Sequence, residues 1–216
     1  MKDDSFSLTP ALLLNAYAAG IFPMAESRDD PEIYWVDPRR RGVLPLEGLH
    51  LSRSLKRRMR RGGYTATLNA DFAGVLAGCA ARDETWISAE IHSHYTALHS
   101  MGHAHSLEVW EDGELAGGVY GVALQSAFFG ESMFSARSGG SKLALVHLVD
   151  HLRHCGFTLF DTQFITPHLE SLGAQEISRA AYHLRLEAAL ARRANIHSTP
   201  FEPDIHSVMH RMTHTS

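Results

Sequence analysis

Hydrophobic and polar positions follow two different patterns along the chain, and the first of them predicts short, separate helices. Residues 8–24, "LTPALLLNAYAAGIFPM", place Thr9 as a helix N-cap and Pro10 at the first helical position. Residues 34–52 are interrupted by prolines, which favours extended segments. Residues 52–63, "SRSLKRRMRRGG", then predict a short basic helix that stops at two glycines.

From residue 64 onward the pattern changes to that of a compact domain of strands and helices. A mixed α/β architecture with a largely antiparallel sheet is therefore expected, and not a doubly wound parallel sheet. Residues 195–216 lack clear periodicity and are expected to form a loosely attached tail. The predicted elements are a strand at 64–69, helices at 71–81 and 88–103, a hairpin around Asp112 and Gly113, a strand at 125–135, a helix at 139–156, a strand at 157–163 and a helix at 178–193.

Composition places the chain among ordinary globular proteins. It has 216 residues, of which 44% are apolar and 20% are charged. The first ten residues, "MKDDSFSLTP", lack the apolar core of a secretory signal, and no apolar run approaches the roughly 18 residues of a membrane span. A cytosolic protein without a membrane partner is expected. Cys79 and Cys155 are too few for a disulfide framework, so reduced, packed thiols are expected.

Charge is distributed unevenly, although the formal net charge is only −4. Residues 39–61 contain nine basic residues and one acidic residue, a local net charge of +8. The remaining 11 basic and 23 acidic residues give −12. Such a block suggests that a polyanion binds at one place on the surface. A solvated helix face of arginine and lysine is the alternative, and the charge pattern alone leaves both open.

The chain has 15 histidines, and three of them are spaced for one helix face. His147, His151 and His154 fall at i, i+4 and i+7, a spacing that can bring three imidazoles to zinc. Leucines and valines occupy the opposite side of this predicted helix, so the histidines are expected to face solvent. Cys155, at the end of the helix, is expected to pack in the core. We therefore expect neither a metal nor another cofactor.

The loop at 135–142, "SARSGGSK", precedes the same helix. Backbone N–H groups at a helix start attract phosphate, and Arg137 and Lys142 add positive charge. The order of residues differs from that of a P-loop, so nucleotide hydrolysis is not indicated. A flexible turn with an ordinary cap is the alternative interpretation.

Three polar residues lie in segments that otherwise have the composition of buried strands. Glu131 interrupts the aromatic stretch "SAFFGESMFS" at 126–135, and alternation allows Asp161 and Gln163 to share a face of a strand. Buried carboxylates are costly unless they are hydrogen-bonded or matched to a cation. Two interpretations stay open, a structural ion pair and a site for a positively charged or amine-bearing substrate.

Several short motifs, taken together and in order, resemble those of bacterial leucyl/phenylalanyl-tRNA–protein transferases. The resemblance covers about residues 8–190, and the combination of GESMFS with a later D-x-Q is specific, although each motif alone is weak. The motifs are "GIFPM", "HLSRSLKR", "TWIS", "GHAHSLEVW", "GGVYGVA", "FFGESMFS", "SKLAL", "DTQ" and "HLESLGAQEISR".

The resemblance implies a fold and a reaction. It implies a small N-terminal domain, expected at 1–48, and a GNAT-like acyltransferase domain with a mixed, largely antiparallel sheet, expected at 49–194. The His-rich tail at 195–216 lies beyond the resemblance. It implies transfer of leucine or phenylalanine, and less well methionine, from aminoacyl-tRNA to acceptor proteins that begin with arginine or lysine. The product is marked for N-end rule degradation. Because the aminoacyl ester is already activated, no cofactor is expected. The enzyme is also expected to be a cytoplasmic monomer.

The resemblance also implies which residues act. Asp161 would accept a hydrogen bond from Gln163 or the incoming amine, Gln163 would orient or polarise the ester carbonyl, and Glu131 would hold the peptide N-terminus or take part in proton transfer. Residues expected to bind the aminoacyl group and the terminal adenosine are Trp86, Val119, Phe128, Ser132, Met133 and Leu148, with Tyr17, Met24 and Tyr95 near the mouth. Residues expected to bind tRNA are Arg53, Lys56, Arg57, Arg60, Arg61, Arg137 and Lys142.

Two residues depart from the family pattern. Met24 stands where many members have tryptophan, which removes a stacking surface for adenine. Thr162 stands where others have cysteine, so the thiol is dispensable.

Two other functions remain to be weighed. The first is a GNAT-fold acyltransferase with an acyl-CoA donor, whose pyrophosphate the "RSGGSK" loop would hold. The second is a non-catalytic RNA-binding module, which the basic helix alone would explain. The second leaves Glu131, Asp161 and Gln163 without a role.

Overall fold

The computed structural model describes residues 8–25, 33–81, 85 and 87–213. The helices in these ranges are α1 (Pro10–Ala18), α2 (Arg53–Arg61), α3 (Phe72–Ala80), α4 (Ala89–Ser100), α5 (Gly140–His154), α6 (Pro167–Glu170), α7 (Arg179–Leu190) and α8 (Ile205–Thr213), and a 3-10 helix spans Leu46–Gly48. The strands are β1 (Phe22–Met24), β2 (Tyr34–Val36), β3 (Arg40–Val43), β4 (Thr65–Leu68), β5 (Ala104–Glu111), β6 (Glu114–Leu124), β7 (Ala127–Ser135), β8 (Leu159–Gln163) and β9 (Gln175–Ser178).

Seven of the strands form one mixed sheet in the order β4-β5-β6-β7-β8-β3-β9, and β1 and β2 form a separate ribbon. Every neighbouring pair is antiparallel except β7 and β8, which are parallel and joined through α5. The prediction of a mixed, largely antiparallel sheet is confirmed. Strand β9 and helix α6 were not predicted, because segments of four residues are too short to show a period.

Helix starts follow the local sequence. The side chains of Thr9, Ser52 and Ser88 accept hydrogen bonds from backbone N–H groups in the first turns of α1, α2 and α4. Gly62, with a positive φ, ends α2 as expected.

Strand β3 lies inside the range 1–48 that was expected to form a separate domain. It pairs with β8 on one side and β9 on the other, so these residues belong to the main sheet. The ribbon of β1 and β2 and helix α1 lie N-terminal to it. The position of the domain boundary stays a prediction.

Two hydrophobic clusters cover the two faces of the sheet. Leu55, Leu148 and Val208 represent the first cluster, which joins α2, α5 and α8 to the sheet. Leu13 and Tyr182 represent the second, which joins α1, α3, α4 and α7 to the opposite face. The sheet is therefore covered by helices on both faces.

Strands β7 and β8 part after a short stretch of pairing. Their register covers only Ala127–Phe129 against Leu159–Asp161. Strand β7 continues to Ser135 and β8 to Gln163 without pairing to each other. A gap therefore opens in the middle of the sheet, where main-chain and side-chain groups can face a ligand.

The C-terminal residues correct two expectations. Residues 195–213 are packed rather than loosely attached, since Ile196, Ile205 and Val208 are buried. They cover His147 and His151, which are buried at 1% and 3% exposure instead of facing solvent. The reason is a long-range contact that local periodicity cannot show, because the ring of Phe201 lies 6.1 Å from the His147 ring and 5.4 Å from the His151 ring.

No helix within the described ranges has the length and apolar character needed to cross a membrane.

Candidate active site

A cavity of about 800 Å³ occupies the gap between β7 and β8. One wall is apolar and is formed by Val119, Met133, Leu145 and Phe160, which belong with Leu169 of α6 to one hydrophobic cluster. The N-terminal ribbon, α3 and α6 close its other sides. The remaining lining residues are Phe22, Pro23, Met24, Gly78, Ala81, Gly130, Glu131, Ser132, Phe134, Ser135, Ala136, Ser141, Thr162, Gln163, Phe164, Thr166 and His168.

Glu131 enters this cavity because β7 bulges at that position. Tyr120 of β6 pairs with Ser132 and Gly121 pairs with Gly130, so Glu131 has no partner of its own. A bulge of this kind inserts one residue, bends the strand and redirects a side chain, and it is common beside active sites. This local irregularity explains how a carboxylate is placed inside an otherwise aromatic strand.

Gln163 reaches the cavity through a second irregularity, at the end of β8. Its φ is 58°, and the N–H of Phe164 donates to the carbonyl of Thr162 at 2.6 Å. The three residues form a γ-turn, a tight turn that is strained for a residue other than glycine. The turn directs the amide Nε2 of Gln163 to Oε1 of Glu131 at 3.0 Å.

Glu131 lies in a polar pocket of its own. The hydroxyl of Tyr95 donates to its Oε2 at 2.8 Å, and the hydroxyl of Tyr17 bonds to that of Tyr95. Burial raises the pKa of Glu131 to about 7, an increase that the two tyrosine hydroxyls partly offset. A pKa raised toward neutrality suits this carboxyl group to exchange a proton with an amine.

Asp161 is fully buried and lies outside the cavity wall. Arg41 of β3 donates to both carboxylate oxygens, at 2.9 Å from Nε and 2.6 Å from Nη2. The hydroxyl of Tyr182 donates to Oδ2 at 2.7 Å, and the backbone N–H of Gln163 donates to Oδ1 at 2.8 Å. Asp161 thus holds the turn that positions Gln163. The expected hydrogen bond from Gln163 exists, but it comes from the main chain and not from the amide side chain.

Arg41 was not among the predicted site residues. Its guanidinium lies between the rings of Phe22 and Tyr182, 4.5 Å and 4.3 Å from their centroids, and it also donates to the carbonyl of Gly20 at 2.9 Å. It therefore ties the N-terminal segment to Asp161. In sequence it appears only as one of three consecutive arginines, and the one available signal is its position before the apolar residues of β3.

Two polar atoms along the cavity lack a hydrogen-bond partner among the described residues. They are Oγ1 of Thr162 and Nε2 of His168, both buried. Burial and the nearby Lys142 lower the pKa of His168, which favours a neutral imidazole. No group of three or more metal-ligating side chains occurs in the described part of the chain.

Comparison with known protein families shows the family to which the chain belongs. The family described as leucyl/phenylalanyl-tRNA protein transferase matches residues 43–187, and the N-terminal domain described under the same name matches residues 6–39. The chain belongs to this transferase family.

Relatives of the family match over nearly the whole chain. The leucyl/phenylalanyl-tRNA–protein transferase of Cereibacter sphaeroides is 63% identical over 210 residues, 97% of this chain and 98% of the relative. That of Ruegeria pomeroyi is 62% identical over 97% of this chain and 100% of the relative. Among solved structures, L-PGS from Bacillus licheniformis matches at 12% identity with a TM-score of 0.46, covering 71% of this chain and 65% of that one.

The substrate-binding residues expected from the family resemblance lie at different depths. Met24, Val119, Ser132 and Met133 line the cavity. Phe128 and Leu148 are fully buried behind the wall, where Phe160 and Leu145 supply the lining side chains instead. Tyr17 and Tyr95 are buried behind Glu131 and not at the mouth. Trp86 lies outside the described residues.

The expected tRNA-binding residues of this transferase separate into two groups. Arg53, Arg57, Arg60 and Arg61 are exposed on α2, and Lys56 is half-buried there. Arg137 is paired with Asp112 at 2.6 Å and with Glu114 at 3.1 Å, so acidic groups offset its charge. Lys142 donates to the hydroxyl of Ser171 at 3.1 Å. Lys142 therefore keeps its charge beside a neutral hydroxyl, and no ion pair within the described ranges involves the five residues on α2.

Proposed function

We propose that the protein transfers leucine or phenylalanine, and less well methionine, from aminoacyl-tRNA to the α-amino group of an acceptor protein that begins with arginine or lysine. Family membership supports the reaction class. The observation that carries the assignment is the cavity between β7 and β8, which combines an apolar wall with the Glu131–Gln163 pair. An apolar aminoacyl side chain fits the apolar wall, and a cationic N-terminus fits the Glu131–Gln163 pair.

The seven-stranded region is proposed to be a GNAT-like acyltransferase domain. Its own topology supports this, because antiparallel β5, β6 and β7 lead through α5 to parallel β8, and β7 and β8 then part. In such an arrangement the acyl donor and the amine can meet in the gap, approached from the two sides of the sheet.

The reaction exchanges an ester for an amide. The nitrogen of the acceptor attacks the ester carbonyl, a C–N bond forms, and the bond from the carbonyl carbon to the ribose oxygen breaks. The amine loses a proton, and the ribose oxygen gains one. Because the ester is activated and an α-amine has a pKa near 8, alignment and stabilisation of the oxyanion are the main requirements.

Each of the three polar residues has a part in this scheme. Glu131 binds the acceptor N-terminus and takes its proton, for which a pKa of about 7 is well matched. The amide of Gln163 orients the ester carbonyl once the acceptor occupies Glu131. Asp161 is a positioning residue, since it acts through the main chain of Gln163 and does not line the cavity.

Exposed basic residues on α2 are proposed to bind the tRNA backbone. The product acquires an N-terminal leucine or phenylalanine and is thereby directed to N-end rule degradation. The enzyme is proposed to act in the cytoplasm as a monomer and without a cofactor.

The first experiment measures transfer of radiolabelled leucine from Leu-tRNA to a peptide that begins with arginine, beside the same peptide beginning with alanine. Label on the arginine peptide only, lost when the donor is treated with ribonuclease, is the expected result. Transfer from leucyl-CoA that survives ribonuclease would replace this proposal with a CoA-dependent reaction. Absence of transfer by folded protein that binds tRNA would leave a binding module.

A further inference from the structure

Phe164 is an exposed aromatic side chain at the lip of the cavity. Among the described aromatic residues that line the cavity, Phe22 and Phe160 are at most 3% exposed and Phe134 is half-buried, whereas Phe164 is 43% exposed. Because Phe164 both lines the cavity and remains exposed, a ligand that enters the cavity can contact its ring.

The exposed ring is held in place. The γ-turn at Gln163 fixes the backbone of Phe164, and Gly42 allows close approach, because a Cβ at Gly42 would lie 2.7 Å from the Phe164 carbonyl. On one side the ring meets Phe22 edge to face, with centroids 5.6 Å apart and planes at 83°. A preformed aromatic surface binds a flat ligand at a smaller entropic cost than a mobile one.

The position of Phe164 points to the donor rather than to the acceptor. The chain runs from Phe164 through α6 to Leu172, whose carbonyl accepts a hydrogen bond from the N–H of His50 at 2.8 Å. Helix α2, with its exposed arginines, begins three residues after His50. The segment that follows Phe164 is thus hydrogen-bonded to the segment that leads into α2, whereas Glu131, the proposed acceptor-binding carboxylate, is buried in the gap.

If α2 binds the tRNA backbone, the single-stranded end of the tRNA, with its unpaired bases, can reach this lip. Stacking of a base on an aromatic side chain contributes about 1–3 kcal/mol by alanine substitution, with little dependence on sequence. Met24, another residue of the cavity wall, carries no ring.

We propose that Phe164 is the stacking surface for the terminal base of the tRNA donor. The inference rests on the proposed function, and it adds a residue that binds the terminal base while Gln163, the preceding residue, orients the ester. The acceptor peptide is the competing occupant of this surface.

The test compares Phe164→Leu with Phe164→Trp. We expect Phe164→Leu to raise KM for Leu-tRNA about tenfold and to leave KM for the arginine peptide unchanged, whereas Phe164→Trp retains the wild-type KM because it keeps an aromatic face. The ring is exposed, so both variants should unfold at the temperature of the wild type; thermal unfolding checks this.

A double-mutant-style binding cycle isolates the contribution of the terminal base to the affinity for tRNA. Uncharged tRNA ending in its terminal adenosine is compared with tRNA lacking that nucleotide, on the wild type and on Phe164→Leu. The wild type should prefer the complete tRNA about tenfold or more, and the variant should lose most of this preference.

The inference is overturned if the preference is equal in both proteins, or if Phe164→Leu raises KM for the peptide instead of the donor. Failure of the proposed function would appear differently, as absence of transfer by the wild-type protein itself.

Discussion

Burial makes the charge of Glu131 unfavourable to the fold, and the hydrogen bonds of two tyrosine hydroxyls offset this cost only in part. Its pKa of about 7 exceeds the ordinary value of 4.5, and the folded protein therefore holds this proton more tightly than the unfolded chain does. Stability contributed by this group is complete below about pH 4.5 and is lost as the pH rises through about 7.

Glu131→Gln replaces the titrating carboxyl group with a neutral amide and so removes the loss of stability at high pH. We expect the variant to equal the wild type in stability near pH 4 and to exceed it at pH 8 by up to about 3 kcal/mol, as measured by urea unfolding at both pH values. Transfer should fall about 100-fold or more, since the variant loses the general base of the proposed function. Glu90→Gln, at an exposed position, serves as the control. Lower stability of Glu131→Gln at pH 8 would contradict this account.

Asp161 and Arg41 form a buried ion pair that is not part of the cavity wall. Asp161→Asn leaves a buried guanidinium without its carboxylate, a change that typically costs about 3–5 kcal/mol. The Coulomb effect of Asp161 also raises the pKa of Glu131. We expect kcat to fall, KM for tRNA to stay constant, and the acid limb of the pH–rate profile to move to lower pH.

The pH–rate profile distinguishes positioning from structural support. If Asp161→Asn lowers the rate at every pH by the same factor, Asp161 supports the fold without affecting Glu131. Tyr182→Phe, which removes one hydrogen bond to Asp161 and keeps the charge, should change the rate less.

Among the elements, β7 shows where sequence patterns fail. Simple alternation places Phe129 and Met133 on one face, yet they pack into opposite hydrophobic clusters. The bulge at Glu131 shifts the register by one residue and so exchanges the faces beyond it. The strand was predictable from its composition, but the bulge depends on pairing with β6, which a single segment does not show.

The exposed arginines of helix α2 are predicted to determine the affinity for tRNA and its dependence on salt. The double variant Arg53→Gln and Arg57→Gln should weaken binding of every aminoacyl-tRNA and lower the slope of log affinity against log salt by about two. Arg192→Gln with Arg193→Gln removes the same charge from an exposed site after α7 and should leave the slope unchanged. Filter binding over a range of salt concentrations measures both. Equal slopes in the two double variants would restore the interpretation of α2 as a solvated face.

At the scale of the whole molecule, the residues after α7 belong to the core. Ile196, Ile205 and Val208 are buried, and Arg211 donates to both oxygens of the buried Asp150. A chain ending at residue 194 should therefore unfold more than about 10 °C below the wild type. A chain shortened by residues 214–216 alone serves as a length control. An unchanged unfolding temperature after the longer deletion would show that the packing contributes no stability.

The overall class of the fold and the residues at its centre could be inferred from sequence, whereas contacts between distant segments could not. Glu131 and Gln163 were identified and lie within hydrogen-bonding distance of each other. Arg41 was missed because its partner is 120 residues away. His147 and His151 have the spacing of a polar helix face, and that face is buried because the folded C-terminal segment packs against it.

The parted strands also determine how the enzyme can be inhibited. Under the proposed function, the apolar wall holds the leucine side chain, and the amide N–H formed from the acceptor amine stays beside Glu131, so a dipeptide such as Leu-Arg would contact both at once. Joining two weakly bound fragments makes the second contact intramolecular and raises avidity well above that of either fragment. Product inhibition by such dipeptides, stronger than by leucine or arginine alone, follows from having both half-sites in one gap.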